Sequence, residues 1–218
     1  MINPKALIFD MDGVLTDNLK LHEIAWMDFA KKISVKTEPD EIRKIIFGRR
    51  NKEIMDMVFG RHLVTGQIEE LSDQKEEVYM HLAHGKLKPL NGLLDFLQKA
   101  REKNIPMAVA TSSPRKILEF TLNELGLNDF FQKVKLSAED VKEGKPSPEV
   151  FQLATIRLSH KCEDCLVFED SIVGIRAARA AGCSVATPLT TLTETEACRE
   201  NPDIIFKDFT QEKITKIL

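Results

Sequence analysis

A chain of 218 residues, 43% hydrophobic and 30% charged, is long enough for a full core and suits one large domain or a domain carrying an insert. Its net charge of −3 and lack of a polybasic run exclude the usual signature of a nucleic-acid or anionic-membrane partner. The first apolar stretch, Ala6-Leu7-Ile8-Phe9, is too short for a signal peptide or membrane span, so a soluble, cytoplasmic and monomeric protein is expected.

That stretch reads as the first strand. From about Asn18 to Lys88 no strand pattern follows. Leu21, Ile24, Ala25, Phe29 and Ile33 predict one helical stripe, and further helices are predicted over 39–47, 51–59 and 66–84. Pro39, Gly48, Gly60 and Gly66 punctuate them. Beyond them, Leu93, Phe96, Leu97 and Ala100 share one helix face, as do Leu118, Thr121, Leu122 and Leu125. Gly126 and Gly182 stand where helix C-caps belong. Strands are predicted at Met107 to Ala110, Val134 to Leu136, Leu166 to Phe168 and Ser184 to Ala186, with an edge strand at Asp203 to Phe206. Alternating strand and helix implies a doubly wound parallel α/β sheet covered on both faces. The expected division is a catalytic core of residues 1–17 and 89–218 with an all-helical cap, 18–88, inserted after the first strand. Its hinges are expected at Thr16 to Asn18 and Lys86 to Asn91.

In such a sheet, ligands bind beyond the carboxyl ends of the strands. Asp10-Met11-Asp12-Gly13 follows the first strand, Thr111-Ser112-Ser113 the second, Lys145 comes after the third, and Glu169-Asp170 follows the fourth. Phosphoryl transfer needs a nucleophile, a cation, donors for the equatorial oxygens and an acid for the leaving group. Asp10 suits the nucleophile and Asp12, turned back by Gly13, the acid and base. Asp10, Glu169 and Asp170 offer the hard oxygens that Mg²⁺ prefers, while Thr111 and Lys145 would hold the phosphoryl group. Thr111, Ser112 and Ser113 also suit the N-cap of the next helix; both readings hold together, because a helix N-terminus is itself an anion site. Cys162 and Cys165 form a C-x-x-C, but no second ligand pair accompanies it, and reduced structural thiols are expected.

These four motifs, in this order over nearly the whole chain, resemble the haloacid dehalogenase superfamily in its phosphatase and phosphomutase branch. The resemblance rests on D-x-D-G at Asp10 to Gly13, the hydroxyl of Thr111, Lys145 in Gly-Lys-Pro-Ser-Pro-Glu, and Glu169-Asp170-Ser171 with Gly174. It implies a Rossmann-like core, a required Mg²⁺ also bound by the Asp12 backbone carbonyl, and an aspartyl-phosphate intermediate. The cap placement is similar to that of the β-phosphoglucomutase-like group. In that pattern His22, Trp26 and Lys75 occupy matching positions, and Thr16, Gly48, Arg49, Asn51, Ser112, Ser113 and Arg115 fall among the implied substrate-binding residues. One departure stands out: the mutases carry a phosphate-gripping arginine where this chain has Asn51, flanked by Arg49, Arg50 and Lys52. The mutases also carry a lysine where Pro114 stands. The expected activity is therefore hydrolysis of small organic phosphates, chiefly sugar phosphates, with a β-phosphoglucomutase as the alternative. A dehalogenase has no use for an acid at Asp12, and an inactive binding module would have lost Asp10 or Asp170.

Overall fold

The computed structural model of the protein describes residues 3–59 and 65–218; the punctuating Gly60 lies outside them. β1 (Ala6–Phe9) is followed by α1 (Leu19–Lys32), α2 (Pro39–Ile46), α3 (Asn51–Phe59) and α4 (Thr65–Ala83). The alternating part then runs α5 (Leu93–Glu102), β2 (Met107–Ala110), α6 (Arg115–Leu125), β3 (Lys135–Leu136), α7 (Glu149–Arg157) and β4 (Cys165–Phe168). It ends with α8 (Ile172–Ala181), β5 (Ser184–Pro188), α9 (Glu194–Glu200), β6 (Ile204–Phe206) and α10 (Glu212–Thr215). The six strands pair in parallel in the order β3-β2-β1-β4-β5-β6. This is the Rossmann-like doubly wound arrangement, whose connections reverse direction at the β1–β4 boundary.

Every residue of β1, β2 and β4 is buried, as expected for central strands covered on both faces. The pleat sends Leu7 and Phe9 to one face and Ala6 and Ile8 to the other. The first face meets α5 and α6 through Phe96, Leu97, Leu118 and Leu122; the second meets α7 and α8 through Phe151, Ile175 and Ala178. Phe9 stacks on Phe168 with ring centroids 4.6 Å apart, and Phe96, Phe206 and Phe209 close around Phe168. Such aromatic pairs each add about 0.5–1.5 kcal/mol beyond their burial. The aromatic cluster thus anchors the strand end that carries Asp10. Gly126 and Gly182 close α6 and α8 in the left-handed region, at φ of 66° and 88°, where a Cβ would be strained.

The four helices between β1 and α5 have an apolar centre of their own, formed by Trp26, Phe29, Ile42, Ile46, Ile54 and Met55. Pro39 opens α2 at a position where its missing N–H costs nothing, and Glu38 and Glu41 form a reciprocal capping box. The buried face of α1 differs from the expected stripe. Ile24 is 36% exposed, while Leu19, His22, Glu23, Ala25, Trp26, Phe29 and Ala30 are buried. An apolar count could not find this face, because it includes two polar residues turned inward. The two connections to the helical layer run side by side: Thr16 bridges Pro89, and Leu90 N–H donates to Leu15 O at 2.9 Å. No described helix is long and apolar enough to cross a membrane.

Candidate active site

Strand register brings the acidic motifs together across a long stretch of chain. Phe9 pairs with Phe168 and Val109, so Asp10, Glu169 and Thr111 emerge at one rim, near the switch point. Lys145, from the loop between β3 and α7, places Nζ 2.6 Å from both Asp10 Oδ1 and Glu169 Oε2. All three side chains are buried, as is Asp170. Two glycines make this crowding possible. A Cβ on Gly13 would fall 1.9 Å from Asp170 Oδ2, and one on Gly174 would fall 1.9 Å from the Glu169 carboxyl carbon. Gly13 also has a φ of 81°, which opens the turn that follows Asp12.

The electrostatics follow from that crowding. Burial raises the Asp10 pKa to about 8; Lys145 opposes the rise, while Glu169 and Asp12 reinforce it. Burial, Glu169 and Asp10 likewise push Asp170 well above the usual carboxylate range. Lys145 is held above its ordinary value, because Asp10 and Glu169 outweigh the opposing effect of burial. Asp12 goes the other way. Burial alone would raise it, but His22 beside it and donors from Asn18 and Ser113 hold it down to about 2. Asn18 Nδ2 donates to Asp12 Oδ1 at 2.6 Å, Ser113 Oγ donates to Oδ2 at 2.7 Å, and His22 Nε2 lies 3.2 Å from Oδ1.

The hydroxyl cluster after β2 lines the cleft and does not cap the helix. Pro114 occupies the N-cap position of α6, and no side chain caps that end. Thr111 Oγ1 accepts from the Ser113 N–H at 3.1 Å, and Ser112 Oγ donates across to Gly48 O at 2.8 Å. Thr111, Ser112 and Ser113 all line a cleft between the sheet rim and the helical layer, together with Asp10, Asp12 and Asp170.

Residues 4–182 match the haloacid dehalogenase-like hydrolase family. The chain belongs to that family. It is 32% identical over 178 residues to the phosphorylated carbohydrates phosphatase of Thermotoga maritima, covering 82% of each chain. It is also 30% identical over 186 residues to the β-phosphoglucomutase of Bacillus subtilis, covering 82% of this chain and 80% of the relative. The crystal structure of β-phosphoglucomutase from Clostridium difficile superposes with a TM-score of 0.83 at 24% identity. That likeness covers 100% of this chain and 96% of the other, and speaks for the fold alone.

In this hydrolase, Asp10, Glu169 and Asp170 each offer a carboxylate oxygen within 4.8 Å of the others. Hydrogen bonds engage Asp10 through Oδ1 and Asp170 through Oδ2, the latter from Thr191, leaving a second oxygen on each for a ligand. Three buried carboxylates facing one lysine leave an excess of negative charge, which a divalent cation would offset. The donor set and its charge therefore fit Mg²⁺.

On the helical side, His22 and Lys75 line the cleft. Lys75 Nζ lies 3.2 Å from His22 Nδ1, and the His22 ring stacks on Tyr79 at 3.9 Å. Gly48 and Arg49 also line the cleft, with Arg49 Nη1 donating to Ile45 O at 3.0 Å. A Cβ on Gly48 would fall 2.3 Å from Ser171 Oγ. Asn51 lines the cleft too, but its amide is engaged, donating to Ser72 Oγ at 2.6 Å and Glu76 Oε1 at 2.7 Å.

Two expected binding residues are not brought to the cleft. Arg115 turns away to pair with Asp140 and to donate to Lys135 O at 3.1 Å, because its position in the first turn of α6 faces β3 and the loop after it. Thr16 is consumed by the connection, pairing with Pro89 while its carbonyl accepts from Gly13 N–H at 2.8 Å. Arg50 is tied to Glu53 and to Lys142 O. Three cleft-side residues escaped sequence reasoning: Asn18, Tyr79 and Glu76. Asn18 reads as an ordinary helix start, Tyr79 as core, and Glu76 as one charge among many on a solvated helix. The four cysteines are free thiols.

Proposed function

We propose that this hydrolase is a Mg²⁺-dependent phosphatase of small organic phosphates, chiefly phosphorylated sugars, acting through an aspartyl-phosphate on Asp10. The observation that carries the reading is the pair of aspartates: buried Asp10 held by Lys145, and Asp12 held separately by Asn18, His22 and Ser113. Separate partners for the two carboxylates at one rim suit one nucleophile and one proton carrier.

In this mechanism an Asp10 oxygen attacks phosphorus, and the bond from phosphorus to the ester oxygen breaks. Asp12 gives its proton to the departing oxygen; the negative charge of the bound phosphate raises the Asp12 pKa, so proton uptake accompanies binding. Asp12, again a carboxylate, then takes a proton from water, whose oxygen attacks phosphorus and releases Asp10. Lys145 and Thr111 hold the phosphoryl oxygens, with Ser112 and Ser113 beside them. Bound Mg²⁺, held by Asp10, Asp170, Glu169 and the Asp12 carbonyl, would neutralise phosphoryl charge. Residues 18–88 would act as the cap that admits substrate and controls water, and His22 and Lys75 would position Asp12 and the substrate from that side.

Mutase activity is the second reading, favoured by His22 and Lys75 in the cleft and by the mutase relative. Against it, Asn51 is bound to Glu76 and Ser72, which leaves no arginine at that position to grip a second phosphate. Incubation with β-glucose 1-phosphate and a trace of the 1,6-bisphosphate separates the two. Release of inorganic phosphate is expected; dominant glucose 6-phosphate would sink the phosphatase reading.

A further inference from the structure

The loop that carries Lys145 is held from two sides. From the sheet side, Glu149 at the start of α7 accepts the Lys142 N–H at 3.0 Å and the Glu143 N–H at 2.8 Å. From the helical layer, Arg50 reaches across, and its Nη1 donates to Lys142 O at 3.0 Å. The guanidinium arrives preset. Its Nε donates to Glu53 Oε1 at 2.7 Å, and its Nη2 lies 2.6 Å from the same oxygen. Glu53 Oε2 accepts the Arg50 N–H at 2.6 Å. A planar fork held in this way gives up little freedom when it docks. Gly144 makes room for it. A Cβ there would fall 2.6 Å from Arg50 Nε and 2.8 Å from Glu53 Oε1, so this glycine admits the ion pair against the loop. The next residue is Lys145, whose Nζ bridges Asp10 and Glu169.

An exposed ion pair within one helical turn is ordinarily worth little. This one differs in two respects. Its side chains are only 18% and 28% exposed, and it meets the backbone of the other layer beside a residue of the site. Arg50 is not among the residues lining the cleft, so direct contact with the phosphoryl group is not its part. Resting on the phosphatase reading, we propose that Arg50 is a positioning residue: held by Glu53 and docked over Gly144, it fixes the loop that presents Lys145 to Asp10. The helical layer thereby takes part in the geometry of the reaction without touching the reacting atoms.

Hydrogen exchange of the loop amides tests the contact without any assay of turnover. In metal-free Arg50→Ala, a peptide spanning residues 141–147 is expected to exchange about fivefold faster than in the wild type, with peptides from β1 and β4 unchanged. The catalytic consequence is read with p-nitrophenyl phosphate and Mg²⁺ in a double-mutant cycle. Arg50→Ala and Gly144→Ala should each lower kcat about fivefold while KM stays within about twofold. The double variant should lose no more than about twofold beyond either single, because the second substitution has no contact left to break. Glu53→Met in place of Gly144→Ala leaves the loop sequence intact and should show the same non-additivity. Unchanged loop exchange in Arg50→Ala, an unchanged kcat, or single losses that multiply to about 25-fold in the double would each overturn the positioning role. A loss confined to KM would overturn it too, by making Arg50 a substrate contact. Faster loop exchange in Arg50→Ala, but no phosphate release by the wild type from p-nitrophenyl phosphate or glucose 6-phosphate, would overturn the phosphatase reading and Arg50's part in the reaction, while the contact itself stands.

Discussion

On the sheet rim, Lys145 stands 2.6 Å from both Asp10 and Glu169; on the helical wall, Lys75 meets Glu76 at 3.0 Å and His22 at 3.2 Å. Both lysines are buried among acids, but their supports differ. The rim charges sit at the ends of β1 and β4, whose register leaves no freedom of placement, with the aromatic cluster directly beneath them. The wall charges come from α1, α3 and α4, whose approach to the rim runs through contacts such as Ser112 to Gly48 and Arg50 to Lys142. A rigid sheet edge suits a reaction that demands fixed geometry. A separately packed helical layer can change its pocket-facing residues without disturbing that geometry.

Four measurements can break or sharpen this contrast. Asp10→Asn keeps the shape of the rim but removes the nucleophile, so Mg²⁺-dependent phosphate release should fall at least about a thousandfold with the fold retained by circular dichroism. Retention of a tenth of the activity would remove Asp10 from the nucleophile role. Lys145→Met strips the partner from two buried carboxylates. It should cost about 3–5 kcal/mol in urea unfolding of the metal-free protein. A cost below about 1 kcal/mol would mean that the rim does not depend on this charge.

Smaller effects are expected away from the chemistry. Ser112→Ala removes one contact between the rim and the helical layer, worth about 0.5–1.5 kcal/mol. Its effect should appear in KM for a sugar phosphate more than in kcat, and the reverse pattern would assign Ser112 to the reacting group. The smallest effect concerns Asp140, which holds Arg115 outside the cleft. Burial favours its neutral form, but hydrogen bonds from Ser137 and the charges of Arg115 and Arg157 outweigh burial and lower its pKa. A lowered carboxyl stabilises the fold above the unfolded value of about 3.9, and that contribution is lost as pH falls through the folded value. The stability gap between wild type and Asp140→Asn should therefore be present at pH 7 and shrink below about pH 4. A gap independent of pH would contradict the assignment.

The central strands were legible as short continuous apolar runs, and most helices by apolar residues repeating at the helical period. Pro39 and Gly126 punctuated where the backbone required it. The stripe on α1 was misread because His22 and Glu23 turn inward toward polar partners, which apolar periodicity cannot register. Arg115 was misassigned for a related reason: position after a motif does not say which way a side chain leaves the helix.

The local sequence by itself picked out the residues proposed to carry the reaction. Asp10, Asp12, Thr111, Lys145, Glu169 and Asp170 follow strand ends, and a doubly wound sheet has one rim where such ends meet. Only the tertiary structure decided what the other wall of the cleft offers. Whether Asn51 is free or tied to Glu76, and whether that glutamate on α4 lies in solvent or is buried, depends on how separate helices pack. That packing is set by long-range burial of Trp26, Phe29 and Ile54, which no local pattern around Glu76 encodes.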